Sequence, residues 1–196
     1  LDCSKPSRGL MPASFKIDSL NGREYLKPDF GDFAIGRVAP ADACLWWIYI
    51  LRAYVIATGD LELAHRPEFQ ESIRVIMELC LVTRFDMYPM VLVPDGASMI
   101  DRRMGLYGHP LDIQSLFYAA LKTSSELLVP NPENQTIITA VYARLNPLLR
   151  QLRDNYWIDT DRLNVIYRFQ VEEYGEKAFN QFNIYSDSIP FYRLAK

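Results

Sequence analysis

The sequence predicts an all-α fold. Apolar residues recur at three- and four-residue spacing in five separate stretches, Pro, Asn, Asp and Gly stand where those stretches begin and end, and no strand–helix–strand alternation interrupts them. No short internal repeat is present. Successive helices with moderate connections suggest helical hairpins stacked side by side, as in a toroid of helices, and five helices are too few to close such a ring.

Residues 1–39, rich in Pro, Gly and Asp, read as irregular, with one short extended piece around residues 14–17. The first helix runs over residues 43–58, after Pro40 and Asp42 and up to Gly59. Trp46, Trp47, Ile50, Leu51, Tyr54 and Val55 are expected to form its buried face. Pro67 in a first turn opens a second helix to about residue 83, carrying Phe69, Ile73, Ile76, Met77 and Cys80 inward. Residues 85–93 could be extended, with Pro89 limiting any strand to an edge. Pro110 opens a third helix with Leu111, Phe117, Ala120, Leu121 and Leu128 on its apolar side. Asn131 caps a fourth, over residues 131–155, expected to kink or split at Pro147. Residues 159–174 read as a fifth, stopped by Gly175, and an irregular aromatic tail follows.

Between the second and third of these helices lies the most chemically loaded run, PDGASMIDRRMGLYGHPLDIQSLF, residues 94–117. Up to Pro110 it holds two carboxylates (Asp95, Asp101), two arginines, His109 and three glycines, while apolar stretches flank it. It reads as a loop held by a packed scaffold, the usual seat of chemistry.

Composition bounds the rest. The 196 residues, 49% hydrophobic and 13% aromatic, suffice for one domain with a sizeable core. A net charge of −3 with scattered Lys and Arg argues against nucleic acid or an anionic membrane as partner. Three cysteines without CxxC spacing and only two histidines suggest neither a disulfide framework nor a metal site, and no cofactor is implied; a reducing, cytoplasmic compartment fits. The longest apolar stretch is broken by Arg52, so no membrane span is expected. The first residue is Leu1, so a segment upstream is expected.

Several runs carry a resemblance. LDCSKPSRGLMPASF, DFGDFAIGRVAPADACLWWIYILRAY, DGASMIDRRMGLYGHPLDIQSLFYAAL and IYRFQVEEYGEKAFNQFNIYSDSIP resemble the alkaline/neutral invertases, glycoside hydrolase family 100, over essentially the whole chain. The resemblance implies an (α/α)6 barrel that hydrolyses sucrose to glucose and fructose with inversion, here as the central portion of the catalytic domain. It places the general acid at Asp101, in SMIDRRMG, and the general-base glutamate beyond Lys196. The implied partner is a sugar, with homo-oligomerisation expected. Asp112 stands where the family commonly has Glu.

Candidate sugar contacts are Arg37, Asp42, Trp46, Asp86, Asp95, Arg102, His109 and Gln114. Plainer roles compete. Asp42 is by default a helix cap. Asp95, before Gly96, reads equally as a turn residue, or as the acid if Arg102 and Arg103 both face Asp101 and hold it ionised. His109 could cap a helix, satisfy a buried carbonyl or bond a sugar hydroxyl. Trp46 and Trp47 point to different faces, so one can pack while the other lines a cavity. Glu172, Glu173 and Glu176 read as a solvated face. The alternative to an enzyme is a truncated helical domain with residual sugar binding or a protein-interaction role.

Overall fold

A computed structural model of the chain describes residues 8–31, 39–82, 88–98 and 105–157, except for the side chains of Pro94 and Asp95. The helix expected over residues 159–174 lies outside the described residues. The chain separates into two compact units, Leu1–Arg150 and Gln151–Lys196, and the elements that shape the candidate site belong to the first.

Helices dominate, as expected: α1 (Ala43–Thr58), α2 (Leu61–His65), α3 (Pro67–Cys80), α4 (Leu111–Leu127) and α5 (Pro132–Tyr156). Two antiparallel strand pairs accompany them, β1 (Ser14–Leu20) with β2 (Arg23–Asp29) and β3 (Val93–Ala97) with β4 (Gly105–Gly108). The architecture fits a partial set of helical hairpins. Among the described residues no helix is long and apolar enough to cross a membrane.

The β1–β2 ribbon corrects the expectation of an irregular N-terminal region. Asn21 and Gly22 both take positive φ, 53° and 75°, which is the mirror-image turn that Asn-Gly favours and that matches strand twist. Pairing then runs in register from Leu20↔Arg23 to Ser14↔Asp29. Tyr25 donates its phenol O–H to Asp18 at 3.2 Å, and the charge of that carboxylate raises the phenol above its ordinary value.

Helix α1 begins and ends where expected, Gly59 adopting φ 73° and donating its N–H to Val55. Its buried face is different from the one expected. Ala43, Cys44, Leu45, Ile48 and Leu51 are buried, while Ile50 and Tyr54 are 60% and 42% exposed. A helix apolar on nearly every side offers no period from which to choose a face.

Short α2 was not expected. Asp60 caps it by accepting the Leu63 N–H at 3.1 Å, and five residues are too few to show a period. Helix α3 starts at Pro67, as expected, and stops at Cys80. Cys44 and Cys80 are buried free thiols, Cys80 being held well above the usual thiol value by its hydrogen bond with Cys44 and by burial.

Helix α1 packs chiefly against α4. Ile48 of α1 and Ile113, Phe117 and Leu121 of α4 are 0–1% exposed, each contributing about 1.5–3 kcal/mol on burial. Asn131 caps α5 by accepting the Asn134 N–H at 2.8 Å, and α5 continues as one helix through Pro147 instead of splitting.

Gln70 of α3 joins three elements with one amide. Its Nε2 donates to the carbonyls of Ala64 and Leu127 at 2.8 and 2.9 Å. Its Oε1 accepts from Val129 N–H and Asn134 Nδ2 at 2.9 and 3.2 Å.

Candidate functional site

Between α1, α4 and the end of β3 lies a cavity of about 330 Å³. Helix α1 and its preceding residue supply Asp42, Trp46 and Tyr49, spaced to share one helical face; Ser98, just past β3, contributes a hydroxyl. On the opposite side α4 presents Asp112, Ser115, Leu116 and Ala119, again one face.

Asp42 organises this wall. Only 1% exposed, it occupies the cap position of α1, yet its side chain makes no capping bond. Its Oδ2 instead accepts the indole N–H of Trp46 at 3.3 Å and the hydroxyl of Ser98 at 3.4 Å. The default reading of Asp42 as a cap is thereby corrected. Trp46 meets Tyr49 edge to face, centroids 6.0 Å apart. Trp47 turns away and stacks on Phe69 at 5.9 Å. Adjacent tryptophans thus divide, one lining the cavity and one packing. An apolar wall with a few convergent carboxylates and hydroxyls suits a sugar, whose C–H face lies on aromatic carbon while its hydroxyls bond at the rim.

The run expected to be a loop begins and ends as paired strands. Register shifts by one residue between Val93 and Gly96, because Pro94 has no N–H for the ladder and the strand bulges past it. Asp95 lies on β3 at that bulge, so its backbone is not in a turn. Residues 39–41 run beside β3, Ala41 N–H donating to Ala97 at 2.9 Å and Ala97 N–H to Ala39 at 3.0 Å. Gly96 permits this approach: a Cβ there would stand 3.1 Å from the Ala41 Cβ and 3.2 Å from Val93 Cγ1.

The base of the β3–β4 pair is held by side chains. Gln114, fully buried, accepts from Val91 N–H through Oε1 at 3.0 Å and donates from Nε2 to Val91 O at 2.8 Å. His109 Nδ1 lies 3.0 Å from the same carbonyl, which can only accept, so that nitrogen carries the proton. From α5, the buried Arg144 donates to Met90 O at 3.3 Å and sits 4.6 Å over the Tyr88 ring; burial lowers its pKa below the usual arginine value. Tyr88 O–H in turn bonds Ala143 O at 2.9 Å.

Two sequence expectations change here. Gln114, expected to touch sugar, has its amide engaged on Val91 and lies outside the cavity. His109 takes the carbonyl-satisfying role of the three considered. Of the other candidates, Asp42 and Trp46 come together in the cavity. Arg37, Asp86, Asp101, Arg102 and Arg103 lie outside the described residues, Asp101 falling in the connection 99–104 between β3 and β4.

Sequence reasoning did not single out Tyr49, Ser98 or Ser115, and considered Asp112 as a departure from the family and as a carboxylate able to pair with Arg102 or Arg103, not as a sugar contact. The spacings 42/46/49 and 112/115/116/119 were the available signal for all but Ser98. Among the described residues no group of three His, Cys, Asp or Glu side chains could hold a metal ion.

Comparison with known proteins gives these features a setting. The family model described as alkaline and neutral invertase matches residues 1–196. Neutral/alkaline invertase 1, mitochondrial, of Oryza sativa subsp. japonica is 51% identical over 97% of this chain and 31% of its own length. Alkaline/neutral invertase C, mitochondrial, of Arabidopsis thaliana is 50% identical over 97% of this chain and 30% of its own. Cytosolic invertase 1 of Oryza sativa subsp. japonica is 48% identical over 97% and 34%. The chain therefore spans about a third of the length of the curated relatives it matches.

Proposed function

Because the chain belongs to the alkaline and neutral invertase family, we propose that it is the central portion of a glycoside hydrolase that cleaves sucrose to glucose and fructose with inversion. Asp101 is the general acid in this reading and protonates the glycosidic oxygen as the bond breaks. A glutamate outside this chain is the general base, activating water across the ring at a carboxyl separation of roughly 6.5–9.5 Å.

The observation that supports the reading is the cavity wall built by Asp42, Trp46, Tyr49 and Ser98. Ser98 is the last described residue before the connection that contains Asp101. Trp46 and Tyr49 supply an aromatic surface for a sugar ring, Asp42 orients the indole from below, and Asp112 and Ser115 offer hydroxyl partners on the facing helix. Arg37, Asp86, Asp95 and Arg102 remain proposed contacts. For Asp101 to keep its proton near neutral pH, at least one of Arg102 and Arg103 must turn away or pair with another carboxylate. No cofactor is needed.

A reducing cytoplasmic setting belongs to the same proposal, supported by the free thiols Cys44 and Cys80 and by the cytosolic name of one relative.

Glucose release from sucrose at near-neutral pH, compared with the Asp101→Asn variant, tests the reading. Substitution is expected to abolish release while helical content and sucrose binding persist. Turnover retained by the variant would remove Asp101 from the acid role. A loss of folding would make it a structural residue.

A further inference from the structure

The β1–β2 ribbon turns on Asn21-Gly22, and of the chain's asparagines only Asn21 precedes a glycine. The order matters because the main-chain nitrogen that follows an asparagine can attack the side-chain amide, and a side chain on the attacking residue obstructs it. Gly22 has none, and nothing lies within 4 Å of where a Cβ would stand. Asn131 and Asn146 precede prolines, whose nitrogen has no proton to lose. Asn134 and Asn155 sit in α5 with their amides engaged, the first donating to Gln70 and Val129 and the second to Gln151. Asn21 is exposed, on a ribbon whose strand residues, Ser14 and Asp29 apart, are all exposed.

We propose that Asn21 is a site of covalent modification, at which the amide is lost through a cyclic imide and the turn is altered. The Gly22 nitrogen gives its proton to solvent base and bonds to Asn21 Cγ; the Cγ–Nδ2 bond breaks, and ammonia leaves with a proton from water. A second water opens the five-membered imide at either carbonyl. Attack at Cγ yields aspartate on an ordinary backbone. Attack at the main-chain carbonyl yields isoaspartate, with the chain routed through Cβ.

The closed turn withholds this reaction. Its φ angles of 53° and 75° are those of the mirror-image turn, in which the first central residue has ψ of about 30°. Gly22 N then lies turned away from the Asn21 side chain, and ring closure needs a large rotation of ψ. Reaction therefore proceeds from the opened ribbon, at the rate of a free peptide multiplied by the open fraction. A two-stranded ribbon is marginally stable by itself, so that fraction is substantial.

The two products differ in effect. Aspartate before glycine suits the same turn, and the ribbon closes again. Isoaspartate adds a main-chain carbon between Leu20 and Arg23, whose direct pairing sets the register, and keeps the ribbon open.

Incubating the chain beside a synthetic peptide of residues 18–25, at neutral and mildly alkaline pH, tests this by peptide mapping and enzymatic methylation of isoaspartate. Residue 21 is expected to be the first asparagine to convert to the acid, faster at the higher pH and with both products present. Gly22→Ala should lose the modification over the period in which wild type converts. Opening of the ribbon by the added methyl would speed the reaction, so a loss reports the obstructed attack. Amides of β1 and β2 should stay protected from exchange in Asn21→Asp and lose protection in the isoaspartate fraction, with helical content unchanged in both. A chain that stays unmodified while the peptide converts, earlier conversion at another asparagine, equal conversion of Gly22→Ala, or an isoaspartate fraction with protected ribbon amides would each overturn the proposal.

Discussion

The two hairpins of this chain reach the same topology by opposite means. β1–β2 is specified locally: Asn21-Gly22 makes the turn, seven pairs follow without interruption, and its side chains are mostly exposed. β3–β4 has a broken register, a proline in one strand and four glycine or alanine residues among its nine strand positions. Its backbone is secured by Gln114, His109, Arg144 and residues 39–41, none of them within the hairpin itself. The first hairpin can be perturbed without consequence to the core. The second transmits any change in the helices to the wall of the cavity.

The sharpest way to break this contrast is Gln114→Met, which keeps the side-chain length and removes both bonds to Val91. It leaves the Val91 N–H without its partner and is expected to cost about 2 kcal/mol, read as a lowered urea midpoint with unchanged slope. Wild-type stability would mean that the strand base is held without the clamp.

Next in size is Gly96→Ala. Its Cβ would crowd Ala41 and Val93, forcing β3 away from residues 39–41 at a cost of about 1 kcal/mol. Faster exchange of the Ala41 and Ala97 amides, with α3 amides unaffected, is the expected signature. The smallest effect belongs to Gly22→Ala. Nothing lies within 4 Å of the added methyl, so only the positive φ is penalised, by about 1 kcal/mol and locally. Amides of β1 and β2 should exchange faster while global unfolding stays within about 0.5 kcal/mol; a larger shift would tie this ribbon to the core and erase the contrast.

The same division governs what was legible in the sequence. Gly59, Pro67, Pro110 and Asn131 marked helix ends correctly because capping is a local matter. The Asn21-Gly22 turn was equally local and was overlooked, since the mixed, exposed composition of its strands shows no buried alternation. The buried face of α1 could not be read from a helix apolar on most sides. In the site, Asp42 was found through the resemblance and Trp46 through the divergent faces of adjacent tryptophans, and Tyr49 and Ser115 follow from helical spacing once a cavity face is known. Ser98 becomes visible only when β3 is docked against α1. The clamp was not readable, because a side chain that binds backbone 18 or 23 residues away requires no particular residue at the other end. Asp101 itself was singled out by family resemblance, with spacing and charge contributing only the reason it needs a partner carboxylate.

The four bonds of Gln70 bear on how this stretch of chain tolerates rearrangement. The connection from α4 to α5, residues 128–131, is short and near the surface, which ordinarily marks a place where a loop can be lengthened or the chain cut and rejoined. Here Leu127 O, Val129 N–H and Asn134 converge on one amide from α3, so added residues would withdraw partners that Gln70 satisfies together. The turn after Thr58, where Gly59 is exposed and the side-chain bonds that cross it, from Tyr54 and Thr58 to Asp60, lie at the surface, is the more permissive point for an insertion or a new pair of termini.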